Sequence, residues 1–182
     1  VVNNSSTLRP SDFEAYTGRP KKFAALHFAN HVWINNTGEV MVAHETSEET
    51  FNKILAFARD INLTVLPIKK EQPGYILNTL LVPLLTAAQR LLALDITDFK
   101  MIDKVWMIAT QSKKGPFAIL DIVGLNTAYN IALDSYKRTQ SPIDKRILDI
   151  LKEKVNNNEL GIGVGKGFYD YTNGVPYESK SF

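Results

Sequence analysis

Cysteine is absent from the 182 residues, which excludes a disulfide framework, cysteine-ligated zinc, cysteine-held iron–sulfur clusters and thiol catalysis. Charge of one sign is lacking too: 21 Lys and Arg face 19 Asp and Glu, a net +2, so no nucleic-acid partner is expected. No apolar run reaches membrane-spanning length. The best, Tyr75 to Leu94, carries Asn78, Pro83, Gln89 and Arg90, so no membrane partner is expected. No signal-peptide pattern opens the chain, which with the missing thiols points to the cytoplasm. A phosphate-gripping glycine fingerprint is missing as well. The run Gly161, Gly163, Gly165, Gly167 has Lys166, Phe168 and Asp170 where G-x-G-x-x-G needs its third glycine, and it reads as a flexible turn.

What is present is ordinary globular composition, 45% apolar and 22% charged. At about 150 residues per domain the length allows one domain and part of another. Val1-Val2 reads as the tail of a buried strand. Residues 10–18 suggest a short helix with Ser11 and Glu14 as a capping box. Phe23 to Ala29 is an apolar run broken only by His27, the pattern of a strand buried on both faces. Val40 to Ala43 suggests a second strand, Ser47 caps a helix ending near Asn62, and Leu63 to Ile68 gives a third strand. Strand, helix and strand in this order predict an α/β segment.

From Glu71-Gln72-Pro73-Gly74 onward the spacing turns helical. A helix is predicted from Pro73 to about Leu94, with Pro73 in its first turn and Pro83 kinking it. Further helices are predicted at Thr97 with Lys100 to Thr110, Phe117 to Val123, Thr127 to Tyr136, and from Ser141-Pro142 to the Asn156 cluster. The fold class is therefore α/β plus all-α, with domains at 1–70 and 71–182. The wide apolar faces of the second suit either a monomer core or a dimer interface.

His27 and Glu39 are the candidates for chemistry. If adjacent strands bring them together, the carboxylate fixes the imidazole tautomer and the pair can transfer a proton. The plain alternatives are a satisfied core histidine and a solvated turn glutamate. His31 and His44 do not match helical metal-ligand spacing with His27, so no metal is expected. Ser5-Ser6 at a strand end and Asn78 at a helix start lie where ligand crevices form in α/β sheets.

The pieces "NNSSTL", "FAALHFAN", "GEV", "PGYILNTLLVPLLTAAQRLL", "GPFAILDIVGLNT" and "GKGFYDY", in this order, resemble the 3-hydroxyacyl-CoA dehydrogenase family, including 3-hydroxybutyryl-CoA dehydrogenases. The resemblance implies the C-terminal part of a Rossmann-type NAD domain followed by a helical dimerisation and substrate domain. It implies His27 as general acid/base, Glu39 as its partner, Ser6 and Asn78 on the substrate oxygen, and Asn30 and Ser6 by the nicotinamide of NAD. The implied reaction is oxidation of an L-3-hydroxyacyl-CoA in fatty-acid metabolism, by a homodimer. The family's strand–glycine turn–helix and its ribose-reading acid are not among these residues, so the chain is expected to be part of an enzyme.

Departures bear on the substrate. The family's "NP" is Asn30-His31, its "NR" is Asn78-Thr79, which removes a cation, and Asn35-Asn36 replaces an apolar–basic pair. The alternatives are an NADH-dependent reductase of non-CoA keto or diketo compounds, and a non-catalytic helical dimerisation module.

Overall fold

The N-terminal apolar runs form one sheet in the computed structural model, which describes residues 1–174 and 176. Strands β1 (Val2–Asn3), β2 (Ala24–Phe28), β3 (Thr37–Val42) and β4 (Thr64–Ile68) lie in the order β1-β2-β3-β4. β1 runs parallel to β2, β2 antiparallel to β3, and β3 parallel to β4. Val1 and Val2 are exposed on the β1 edge, unlike the buried strand expected there, because β1 pairs with β2 alone among the described residues. β3 starts three residues before the expected Val40, because register with β2 pairs Gly38 and Glu39 as well.

Period-two alternation divides the side chains of β2 and β3 between the two faces. Ala24, Leu26 and Val40 pack under helix α2 (Glu48–Asp60) against Ile54, Leu55 and Ala58. Each fully buried aliphatic side chain of this kind contributes about 1.5–3 kcal/mol. Ser47 starts the helix as expected, its Oγ accepting from the Thr50 amide at 3.2 Å. The opposite face buries Ala25, Met41 and Ile68 with Tyr75, and His27 and Glu39 alternate with Ala25 and Met41 onto it.

Two expected helix starts are corrected. The capping box at Ser11 does not form. Pro10 is the N-cap of α1 (Ser11–Glu14), and the Ser11 amide and hydroxyl both donate to the Glu71 carboxylate, at 2.8 and 2.6 Å. Glu14 instead accepts from the Glu45 amide at 2.9 Å. Pro73 lies before its helix: α3 spans Leu77–Ala93, since Gly74 and Tyr75 hold left-handed φ values of 80° and 54° that end helical winding. Pro83 lies within α3.

The chain forms two compact units, Val1–Val82 and Pro83–Phe182. Residues 175 and 177–182 of the expected second domain lie outside the described residues. The second unit is helical, with α4 (Phe99–Thr110), α5 (Pro116–Val123), α6 (Leu125–Thr139) and α7 (Pro142–Asn156). Asp98 caps α4, accepting from the Met101 amide at 3.0 Å.

Two buried carboxylates organise this unit. Asp103 accepts from the Phe117 and Ala118 amides at 2.8 and 3.0 Å, doing for α5 what Gly115 lacks the side chain to do. Asp121 accepts from the Phe168 and Tyr169 amides at 2.8 and 2.9 Å and from the Tyr171 hydroxyl at 2.7 Å. Burial pushes both carboxyls above the usual range, against the pull of their donors. The glycine run is packed at its two ends, where a Cβ at Gly161 or Gly167 would lie 2.2 or 2.1 Å from an Asp121 oxygen, and open at Gly163 and Gly165.

Candidate active site

His27 and Glu39 are directly opposed residues of β2 and β3. Antiparallel neighbours in register share one sheet face, so strand pairing alone places the imidazole against the carboxylate. His27 Nδ1 lies 3.0 Å from Glu39 Oε2, and both side chains are buried. A carboxylate can only accept, so Nδ1 carries the proton and Nε2 of the neutral ring is the free acceptor. The other carboxylate oxygen, Oε1, accepts from the Ile76 and Leu77 amides at 2.9 and 3.0 Å, at the start of α3. Those donors hold Glu39 in place.

Ser6, in the turn after β1, aims its hydroxyl at His27 Nε2 from 3.2 Å. Asn78 lies in the first turn of α3, and its side-chain amide donates to the Ser6 carbonyl at 3.0 Å. The structure therefore brings Ser6, His27, Glu39 and Asn78 into one connected network. Asn30 is exposed at the start of the β2–β3 connection and does not share a hydrogen bond with that network; its carbonyl accepts from Asn35 Nδ2 at 2.8 Å. Thr79, at the site of the missing cation, turns its hydroxyl onto the Tyr75 and Pro73 carbonyls.

Tyr75 escaped the sequence reading, because it falls inside the helix predicted from Pro73 and carries no motif of its own. Its ring lies parallel to the His27 imidazole, with centroids 4.5 Å apart and planes 20° apart. It is 0% exposed, and its hydroxyl has no hydrogen-bond partner among the described residues. Burial first, then the charges of Glu39 and Glu71, push the phenol up to about 12. No group of three His, Cys, Asp or Glu is placed to hold a metal among the described residues.

An α/β unit with a buried His–Glu pair is thus followed in sequence by a helical unit. Residues 1–72 match the model of the 3-hydroxyacyl-CoA dehydrogenase NAD binding domain, and residues 74–171 match that of the C-terminal domain. The chain belongs to the 3-hydroxyacyl-CoA dehydrogenase family. It is 28% identical over 177 residues to 3-hydroxybutyryl-CoA dehydrogenase of Clostridioides difficile, covering 94% of this chain and 60% of that protein. It is 32% identical over 173 residues to mitochondrial hydroxyacyl-coenzyme A dehydrogenase of Homo sapiens, covering 93% and 54%. Among solved structures, one described as a diketoreductase acting on dicarbonyl compounds is 50% identical, with a TM-score of 0.84 and coverage of 93% and 59%. The chain thus spans about 54–60% of the length of these relatives.

Proposed function

We propose that this chain carries the catalytic part of an NAD-dependent oxidoreductase that interconverts a 3-hydroxy and a 3-keto compound. The observation that carries the reading is the line Glu39–His27–Ser6, in which the buried His–Glu pair turns Nε2 toward the exposed Ser6 hydroxyl at a strand end. The chemistry NAD supplies when bound is acceptance of hydride from C3, or its donation in reverse. The residues present fit one end of that cofactor: Ser6, in the turn after β1, and exposed Asn30 would flank the nicotinamide. No residue here is assigned to the pyrophosphate, since the chain holds no G-x-G-x-x-G.

In the oxidative direction His27 Nε2 takes the C3 hydroxyl proton as the C–H electron pair leaves, and the C–O bond becomes a carbonyl. In reverse the imidazolium returns the proton to the 3-keto oxygen. Glu39, hydrogen-bonded to Nδ1, stabilises the imidazolium and keeps the ring from turning. Ser6 and Asn78 orient the oxygen, and a positioned acid/base of this kind contributes about 10²–10⁴-fold.

The substrate proposed first is a 3-hydroxyacyl-CoA, after the family. A specific observation favours a second reading, a non-CoA diketo compound: the diketoreductase structure is 50% identical, and Thr79 stands where the family carries a cation. The two separate on whether a CoA ester raises kcat/KM above that of a simple diketo ester. We further propose a homodimer through the helical unit, supported by exposed Met101, Val105 and Ile108 along one face of α4.

A further inference from the structure

We infer that Tyr75 is a positioning residue that clamps the plane of the His27 imidazole with its ring, while its hydroxyl takes no part. The inference rests on the proposed role of His27. Hydrogen bonds at Nδ1 and Nε2 lie in the imidazole plane and leave tilting about the line through Glu39 and Ser6 weakly opposed. A near-parallel ring 4.5 Å away opposes that tilt. The groups facing His27 are Glu39 from β3, Ser6 from the turn after β1 and Tyr75 from the turn before α3.

The backbone carries the same message. Tyr75 holds φ of 54°, a conformation unusual for an aromatic residue. From there its ring lies on His27 while the next two amides point at Glu39 Oε1. One strained residue thus sets both partners of the pair. The hydroxyl is a different matter: it is buried and has no hydrogen-bond partner among the described residues, so no group of the site described above uses it.

The test compares Tyr75→Phe and Tyr75→Leu with the wild-type chain by proton and nitrogen NMR of the imidazole. With three histidines the spectrum is assignable. Wild type and Tyr75→Phe are expected to share a sharp, exchange-protected His27 Nδ1–H signal and one tautomer. Tyr75→Leu is expected to lose the signal to exchange. In NADH assays kcat falls in Tyr75→Leu by on the order of ten- to a hundredfold with KM little changed, and Phe retains it. Tyr75→Phe raises Tm by a few degrees. A protected signal in Tyr75→Leu, or its loss in Tyr75→Phe, overturns the clamp. Should Tyr75→Leu fail to fold, the Phe variant alone decides whether the hydroxyl is idle. The NMR result stands without substrate, so it separates failure of the clamp from failure of the dehydrogenase reading.

Discussion

His27 and Glu39 are twelve residues apart in sequence and hydrogen-bonded across one strand pair, 3.0 Å from nitrogen to oxygen. Because the register that pairs them also buries Leu26 and Val40, the geometry of the pair and the sheet core are one arrangement. A one-residue slip of β3 would turn Glu39 toward α2 and leave a charge unpaired in the core.

Glu39→Gln tests the partner role. Gln can hold the ring through its amide oxygen but cannot match a carboxylate in stabilising an imidazolium. Turnover is expected to fall about 10–10²-fold while the fold survives. Circular dichroism and NADH consumption together check this, and an unchanged kcat would contradict it.

Gly115→Ala tests the helical unit. The added Cβ would lie 2.2 Å from Asp103 Cγ, displacing the carboxylate that caps α5. Overpacking of this kind costs about 1–3 kcal/mol. For a unit of this size that is a fall in Tm of about 4–8 °C per kcal/mol, read by calorimetry. A Tm at or above wild type would mean that Asp103 moves aside freely.

Asp144 gives a pH-dependent prediction. Donation from the Thr139 hydroxyl at 2.6 Å, then from Ser135, and the Arg90 charge hold its carboxyl below the usual range. A depressed native pKa contributes stability that is fully present above the unfolded value, about 3.9, and is lost as pH falls through the folded pKa. Thr139→Val is therefore expected to cost about 1–3 kcal/mol at neutral pH and progressively less in acid. Urea titrations at pH 7 and in acid measure the difference, and a gap independent of pH would refute the assignment.

Val105→Glu tests assembly. The side chain is 59% exposed on α4 between Met101 and Ile108. Light scattering is expected to give twice the chain mass for wild type at micromolar concentration and a monomer for the variant, without loss of helicity. A monomeric wild type would remove the dimer proposal.

Where pattern and register are local, the sequence was readable. The run from Phe23 to Ala29 gave β2 because its residues are buried on both faces, and the short connection to Glu39 made an adjacent strand pair the simplest path. Starts that depend on distant partners were not readable. Ser11 carries a capping signature, yet Glu71, sixty residues away, takes its hydroxyl and amide. Tyr75 falls inside the helix predicted from Pro73, but Gly74 and its own left-handed backbone turn it onto His27. The glycine run reads as loose punctuation because its partner, Asp121, lies forty or more residues upstream.

The most direct measurement is NADH consumption with acetoacetyl-CoA and with a diketo ester, by the protein carrying these residues, comparing wild type with His27→Gln. The account predicts that His27→Gln loses about 10²–10⁴-fold in kcat on whichever substrate is used, with NADH binding close to wild type. A His27→Gln protein that keeps its kcat would contradict the central claim.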